Sequence, residues 1–231
     1  MASPRGIAPV SSRDQILDRI RARLREDPAK PESPGDFVPR VDGELLPGQT
    51  LADLFEQQVL LAGGHLHRVE SLELAGQAFG NLVRELDLVR IARSDSLHLR
   101  ELCAAAPDIE WLEPSPFPTS REERGPLFNA QAGLTSAQLA IAESGTLGLD
   151  SSVERHRLAS LVPPVHIALL FARDIRRGMG EALASFADSP PPTLTFITGP
   201  SRTADIELEL VVGVHGPREL HVLLVDPADG A

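Results

Sequence analysis

The stretch "PPVHIALLFARDI", residues 163–175, holds a near-continuous apolar run in which His166 is the one polar side chain before Arg173. The run is short, lies between Pro163-Pro164 and Asp174, and lacks alternation. It therefore reads as a strand covered on both faces, as in a parallel sheet with other elements packed above and below. Parallel neighbours need long crossovers, so the rest of the chain should alternate strands with helices.

That alternation begins at Thr50. "LADLFEQQVLLAGG" and "SLELAGQAFGNLVRELD" have helical periodicity, with a strand between them at "HLHRVE". A short strand "LVRIA", a helix "SDSLHLRELCAAAP" that opens on capping residues, and a strand "IEWL" make one β-α-β unit. "EPSPFPTSREERGP" reads as a long proline-rich loop. Beyond it, "AQLAIAESGTLGLDSS" gives two extended pieces joined at Ser144-Gly145, "GEALASFA" a helix, and "TLTFITG" and "RELHVLLVD" strands. "SRTADIELELV" reads as the start of a helix or turn. The expected fold class is α/β, three-layered, with a mainly parallel sheet over residues 50–231. Residues 1–49 precede it as an amphipathic helix, with Ile16, Ile20 and Leu24 at four-residue spacing, and a proline-rich linker.

Composition removes several chemistries. The only lysine, Lys30, lies in the proline-rich linker, so neither a Schiff base nor a P-loop has a lysine to use. With Cys103 as its one cysteine, the chain can form neither an internal disulfide nor an all-cysteine zinc or iron–sulfur site. The net charge of −11 disfavours nucleic acid and anionic membranes, although residues 1–30 alone carry +3. No apolar run reaches the roughly 18 residues that span a bilayer, and "MASPRGIAPVSSRDQ" has no signal-peptide core, so a cytoplasmic location is expected.

Ligands of open parallel sheets bind beyond the carboxyl ends of the strands. "ITGPSRTADIE" fits that position: Gly199 permits a tight turn, Ser201 caps the next one, and the N–H groups of Arg202 and Thr203 stay free for an anion. Arg202 adds a forked donor matched to carboxylate or phosphate, unless it pairs with Asp205 or Glu207. Glu143 follows an apolar run and precedes a Ser-Gly-Thr turn. It is a candidate base, nucleophile or hydroxyl acceptor, or it only accepts hydrogen bonds from Gly145 and Thr146. Thr135 and Thr146 are possible further ligand contacts, and His215, between glycines, a possible acid or anion contact. His65 and His67 would share a strand face, but no third metal ligand stands at recognisable spacing. His166 and Cys103 read as core residues.

Three stretches in order, "LTSAQLAIAESGTLGLDSS", "RLASLVPPVHIALL" and "ITGPSRTADIELELVVGVHGPRELHVLLVD", resemble the lactate utilization protein C family, whose domain is called the LUD domain. The resemblance covers Leu134 to Asp226. It implies a fold related to the ribose-phosphate isomerase and CoA-transferase superfamily. It also implies a part in bacterial oxidation of L-lactate to pyruvate, beside a cysteine-rich protein and an iron–sulfur protein that would hold the clusters. The resemblance brings no assigned catalytic residues, so Glu143, Ser201, Arg202, Asp205 and His215 stand as motif positions. Two functions follow: a cluster-free subunit that binds a small organic anion or a partner, or an enzyme that uses Glu143 on an acyl or sugar-phosphate substrate.

Overall fold

In a computed structural model of the chain, Val165–Phe171 forms the strand β7, paired in parallel on both sides. The structure describes residues 12–26, 45–113, 120–204, 210–212 and 216–227. They fall in two units, and the first contributes one helix, α1 (Ser12–Glu26), whose Ile16 and Ile20 are exposed.

The second unit is built on a six-stranded, all-parallel sheet. Its strands are β1 (His65–Val69), β2 (Arg90–Arg93), β3 (Glu110–Leu112), β4 (Ala132–Ser136), β7 and β12 (Glu219–Val225). They run in the order β1-β12-β7-β4-β2-β3. Alternate side chains of the central strands face opposite layers. Leu134, Ile167, Leu169 and Leu223 pack against α3 (Leu72–Glu85) and α4 (Leu99–Ala104). Ala168, Leu170, Val222 and Leu224 pack against α2 (Leu51–Leu61) and a second sheet. Double coverage accounts for the continuous apolar runs of β7 and β12.

The expected α/β architecture with a mainly parallel sheet is thus present, and the second sheet adds to it. That sheet has the order β8-β5-β6-β9, from β5 (Leu139–Ile141), β6 (Thr146–Asp150), β8 (Ile175–Arg176) and β9 (Leu194–Thr198). The two pieces expected around Ser144-Gly145 are the antiparallel pair β5 and β6. "TLTFITG" is a strand, but it pairs antiparallel with β6 and not within the parallel sheet. Helix α6 (Met179–Ala184) places Ala182 against Leu139 and Ile141 of β5.

Two sequence readings are corrected. The proline-rich stretch after β3 contains a helix, α5 (Arg121–Phe128), in which Leu127 is buried against Ala92 and Ala159; residues 114–119 lie outside those described. "SRTADIELELV" does not start a helix: β10 (Arg202–Ala204) pairs antiparallel with β11 (Leu210–Val212). The alternation Thr203, Asp205, Glu207, Glu209 with apolar residues between has period two, which favours strand over helix. Among the described residues no helix is long and apolar enough to cross a membrane.

Candidate functional site at the switch point of the parallel sheet

Strands β2 and β4 are neighbours, yet the chain leaves them toward opposite faces. After β2 it enters α4, on the α3 side; after β4 it enters β5 and the second sheet, on the α2 side. Diverging connections open a crevice at the carboxyl ends of the two strands, which is where open α/β sheets bind ligands. The strand pairing continues one step beyond β2, where Ser94 N–H donates to Leu134 O at 3.0 Å. From there Ser94, Asp95 and Ser96 fill one wall. The sequence suggested that this trio caps a helix, but α4 starts at Leu99 and its N-cap residue, His98, makes no side-chain cap bond. The capping groups serve the crevice.

The opposite wall is His156, carried with Glu154 and Arg155 on the segment between β6 and a 3-10 turn (Arg157–Ser160). That turn lies directly on β4: a Cβ on Gly133 would stand 1.7 Å from Ala159 O, so only glycine admits this approach. Between the walls is a cavity of about 180 Å³, lined by Ser94, Asp95, Ser96 and His156, with Arg93, Arg100 and Glu113 at its rim.

Charge in the crevice is arranged in pairs with one cation left over. Arg93 is bonded to Glu113 and Arg155 to Asp95. His156 Nδ1 stands 3.2 Å from Asp95 Oδ1, a charge contact that lacks hydrogen-bond alignment. Burial pushes the His156 pKa down, with Asp95 acting against it. The Arg100 guanidinium has no hydrogen-bond or ion-pair partner among the described residues. Arg93, Arg100 and Arg155 stand against Asp95, Glu113 and the buried Glu154, so cations and acids are matched in number here on a chain of net charge −11.

Glu154 is the buried acid of the site, 2% exposed. Its Oε2 accepts from Ser136 N–H at 3.1 Å, while Oε1 has no hydrogen-bond partner among the described residues. Burial raises its pKa to about 7, against the pull of the Ser94 hydroxyl and of the Ser136 and His156 amides. The sequence reading passed over Glu154. The visible signal was a charged cluster, "VERHR", between two apolar strands, combined with hydroxyl and acid residues just after "LVRIA".

The residues singled out from sequence lie elsewhere. Thr135 is fully buried on β4, with Oγ1 2.8 Å from His166 Nε2. Glu143, Thr146 and Ser201 gather at one end of the second sheet. Glu143 Oε1 accepts from Met179 N–H at 3.2 Å, at the start of α6. Thr146 Oγ1 is bonded to Ser144 Oγ at 2.7 Å and to Thr198 Oγ1 at 2.6 Å. Ser201 N–H donates to Pro217 O at 2.7 Å, and β10 follows it. For Arg202 and Thr203 the structure gives the backbone as part of β10; Asp205 and His215 lie outside the described residues.

A larger depression of about 690 Å³ lies at the carboxyl ends of β1 and β12, lined by Thr50, Arg68, Glu70 and Asp226. Its arginine is already engaged: Arg68 pairs with Asp53 at 2.6 Å, Asp226 at 2.5 Å and Glu56 at 3.5 Å. Three carboxylates around one guanidinium do not suit an anion, so size alone does not make this the site.

His65 and His67 gain a third imidazole that sequence spacing did not supply. His221, the register partner of His65 on β12, stacks on it with ring centres 4.6 Å apart. Its Nδ1 lies 3.3 Å from His67 Nε2. Among the described residues no group of three His, Cys, Asp or Glu side chains has an arrangement that could hold a metal ion. Cys103 is half-buried, and burial raises its thiol pKa.

Comparison with known proteins agrees with this architecture. A lactate utilization protein C of Deinococcus radiodurans is 35% identical over 74% of this chain and 77% of its own. Another, from an Exiguobacterium species, is 28% identical over 94% and 96% of the two chains. An uncharacterized protein of Neisseria meningitidis serogroup B is 44% identical, but the match takes in 43% of this chain and only 44% of that protein. The crystal structure of a DUF162 family protein from Deinococcus radiodurans is similar with a TM-score of 0.55 and 28% identity, covering 77% of this chain and 99% of that one. The LUD domain family matches residues 52–225, so the chain belongs to the LUD domain family.

Proposed function

We propose that this chain is a cluster-free component of an L-lactate utilization system and that it binds a small organic anion in the crevice between β2 and β4. The observation that carries the reading is Arg100, an unpartnered guanidinium beside the hydroxyls of Ser94 and Ser96 in a cavity of about 180 Å³. Pockets for drug-sized ligands run to about 300–1,000 Å³, so a compact acid is the better match. A forked cation holds a carboxylate, and adjacent hydroxyls hold a neighbouring oxygen, which is the pattern of a 2-hydroxy or 2-oxo acid.

Several relatives carry the name lactate utilization protein C, which supports the choice of acid. Electrons released by lactate oxidation need a redox carrier, and one half-buried thiol, Cys103, supplies none to this chain. Iron–sulfur and cysteine-rich partner proteins in the cytoplasm would carry them. A kinship with the ribose-phosphate isomerase and CoA-transferase superfamily remains part of the proposal. Arg202 is the alternative anchor for the anion.

Calorimetric titration with L-lactate and pyruvate tests this. Arg100→Ala should weaken binding by about 1.5–3 kcal/mol, the range of a charged hydrogen bond, and Arg202→Ala should leave it unchanged. The reverse pattern moves the site to the β10 turn, and no binding by the wild type removes the anion reading.

A further inference from the structure

We infer that Glu154 is the proton-exchanging group of the crevice, so that a carboxylate ligand entering beside Arg100 is accompanied by a proton taken up on Glu154. This rests on the anion-binding reading above and adds the chemistry of the wall behind the ligand.

The geometry places Glu154 one layer behind the cavity. Its carboxylate is held from below by Ser136 N–H, and the two groups that soften its burial, the Ser94 hydroxyl and the His156 amide, belong to residues that line the cavity. Oε1 has no hydrogen-bond partner among the described residues, and Glu154, 2% exposed, has no bulk water to replace one. A buried carboxylate in that condition is stable only if it is paired with a cation or protonated. The arginines nearby are committed: Arg155 to Asp95 and Arg93 to Glu113. Arg100 is the remaining cation, and an incoming carboxylate takes it.

The charged and titratable groups around Glu154 come from three segments. Asp95 follows β2 and, despite its own burial, is held below the usual carboxylate range by Arg155 and His156. It contributes negative charge, which favours a protonated Glu154. Arg155 and His156 flank Glu154 on its own segment, and burial keeps His156 from gaining a proton readily. Ser136, at the end of β4, offers only its amide. A ligand carboxylate thus adds a further anion to a pocket whose buried acid has no cationic partner among the described residues, and two carboxylates sharing a site do not both stay ionised.

The step is balanced. A hydronium ion or buffer acid gives up one proton, its own O–H or N–H bond breaking, and that proton forms an O–H bond on Glu154 Oε1; the ligand keeps its charge, and the net charge of the crevice is the same before and after. Glu154 is then a positioning residue. Protonation weakens Glu154 as an acceptor for the Ser94 hydroxyl, which is then free to turn its proton to the ligand oxygen beside the carboxylate. This selects a compact acid with an acceptor oxygen at C2. Burial already holds Glu154 at a pKa of about 7, so a ligand that binds only with Glu154 protonated must draw a proton at neutral pH.

Proton uptake is read by titrating the full chain with L-lactate and with pyruvate in MOPS and in Tris, which differ in ionisation enthalpy, at pH 6, 7 and 8. Wild type should take up about half a proton at pH 7, less at pH 6 and close to one at pH 8, because only the ionised fraction can accept one. Its affinity should fall toward tenfold per pH unit above 7. Glu154→Gln should bind the same acid with no buffer dependence and a flat pH profile. Uptake that survives in Glu154→Gln, and disappears in His156→Gln, assigns the proton to His156 and overturns the inference. If Glu154→Gln does not fold, the wild-type profile decides alone: binding without proton uptake at pH 7 and 8 overturns the inference and leaves the anion reading intact. Absence of binding overturns both.

Discussion

Thr135 Oγ1 and His166 Nε2 meet at 2.8 Å with neither side chain exposed, in the layer between the parallel sheet and the second sheet. The pair is a buried polar bond, and His166 Nδ1 has no hydrogen-bond partner among the described residues. Full burial lowers the His166 pKa from 6.5 to about 4. The fold therefore holds the neutral ring.

The sign of the resulting pH dependence is fixed by that shift. Above pH 6.5 the ring is neutral in both folded and unfolded chains and contributes no slope. As pH falls from 6.5 toward 4 the unfolded chain gains a proton that the folded chain refuses, and stability drops by up to about 3 kcal/mol. Urea unfolding at pH 7.5 and pH 4.5 measures the loss. Thr135→Val alone should cost about 1–3 kcal/mol at either pH because it leaves Nε2 unsatisfied. Combined with His166→Phe it should restore most of that loss and flatten the profile.

Glu154 has the opposite sign. Its pKa rises from 4.5 to about 7 on folding, so the folded chain keeps a proton that the unfolded chain has released. Stability is lost as pH rises from 4.5 to 7, to a limit of about 3 kcal/mol. Glu154→Gln stays neutral and should be more stable than wild type at pH 8 and nearly equal to it at pH 4. Thermal melts of the two proteins at both pH values check this, and a variant equally weakened at both would show that the carboxylate is needed for the fold. The comparison also separates Glu154 from His166, whose effect is common to both proteins.

How much of this was legible in the sequence depended on whether the signal was local. β7 and β12 were readable because coverage on both faces demands apolar residues at every position. β4, "AGLTS", was missed: its five residues are all buried, but Gly133 is required by the backbone of the 3-10 turn and Thr135 by His166, contacts made by distant segments. Ser94, Asp95 and Ser96 were visible yet misassigned, because a short oxygen-bearing side chain is equally suited to a helix N-terminus and to a ligand crevice. The membership of β9 in the second sheet was set by its partner β6, which no single stretch reveals.

Gly145 offers a sharper test of the packing of the second sheet. It has φ +63°, and an added Cβ would lie 2.6 Å from Val59 N, in the backbone of α2. Gly48 also has positive φ, +82°, but nothing lies within 4 Å of its missing Cβ. Gly48→Ala should therefore cost only the left-handed penalty of about 1–2 kcal/mol. Gly145→Ala adds a backbone clash and should cost about 1–3 kcal/mol more. Equal losses in the two variants would mean that the Ser144-Gly145 turn does not rest on α2.

Glu143 is where two sequence-based roles can be separated by stability and binding together. Its carboxylate accepts from Met179 N–H, and its own N–H donates to Arg177 O at 3.1 Å, so it ties the β5–β6 turn to the start of α6. A capping acceptor is indifferent to charge at first order. Glu143→Gln should keep the bond and change stability by less than about 1 kcal/mol, whereas Glu143→Ala should lose about 0.5–2 kcal/mol. Neither should alter L-lactate or pyruvate affinity if the anion sits between β2 and β4. A Glu143→Gln protein that melts like wild type but no longer binds or turns over an acid would restore Glu143 to the chemistry, and would move the working site from the parallel sheet to the end of the second one.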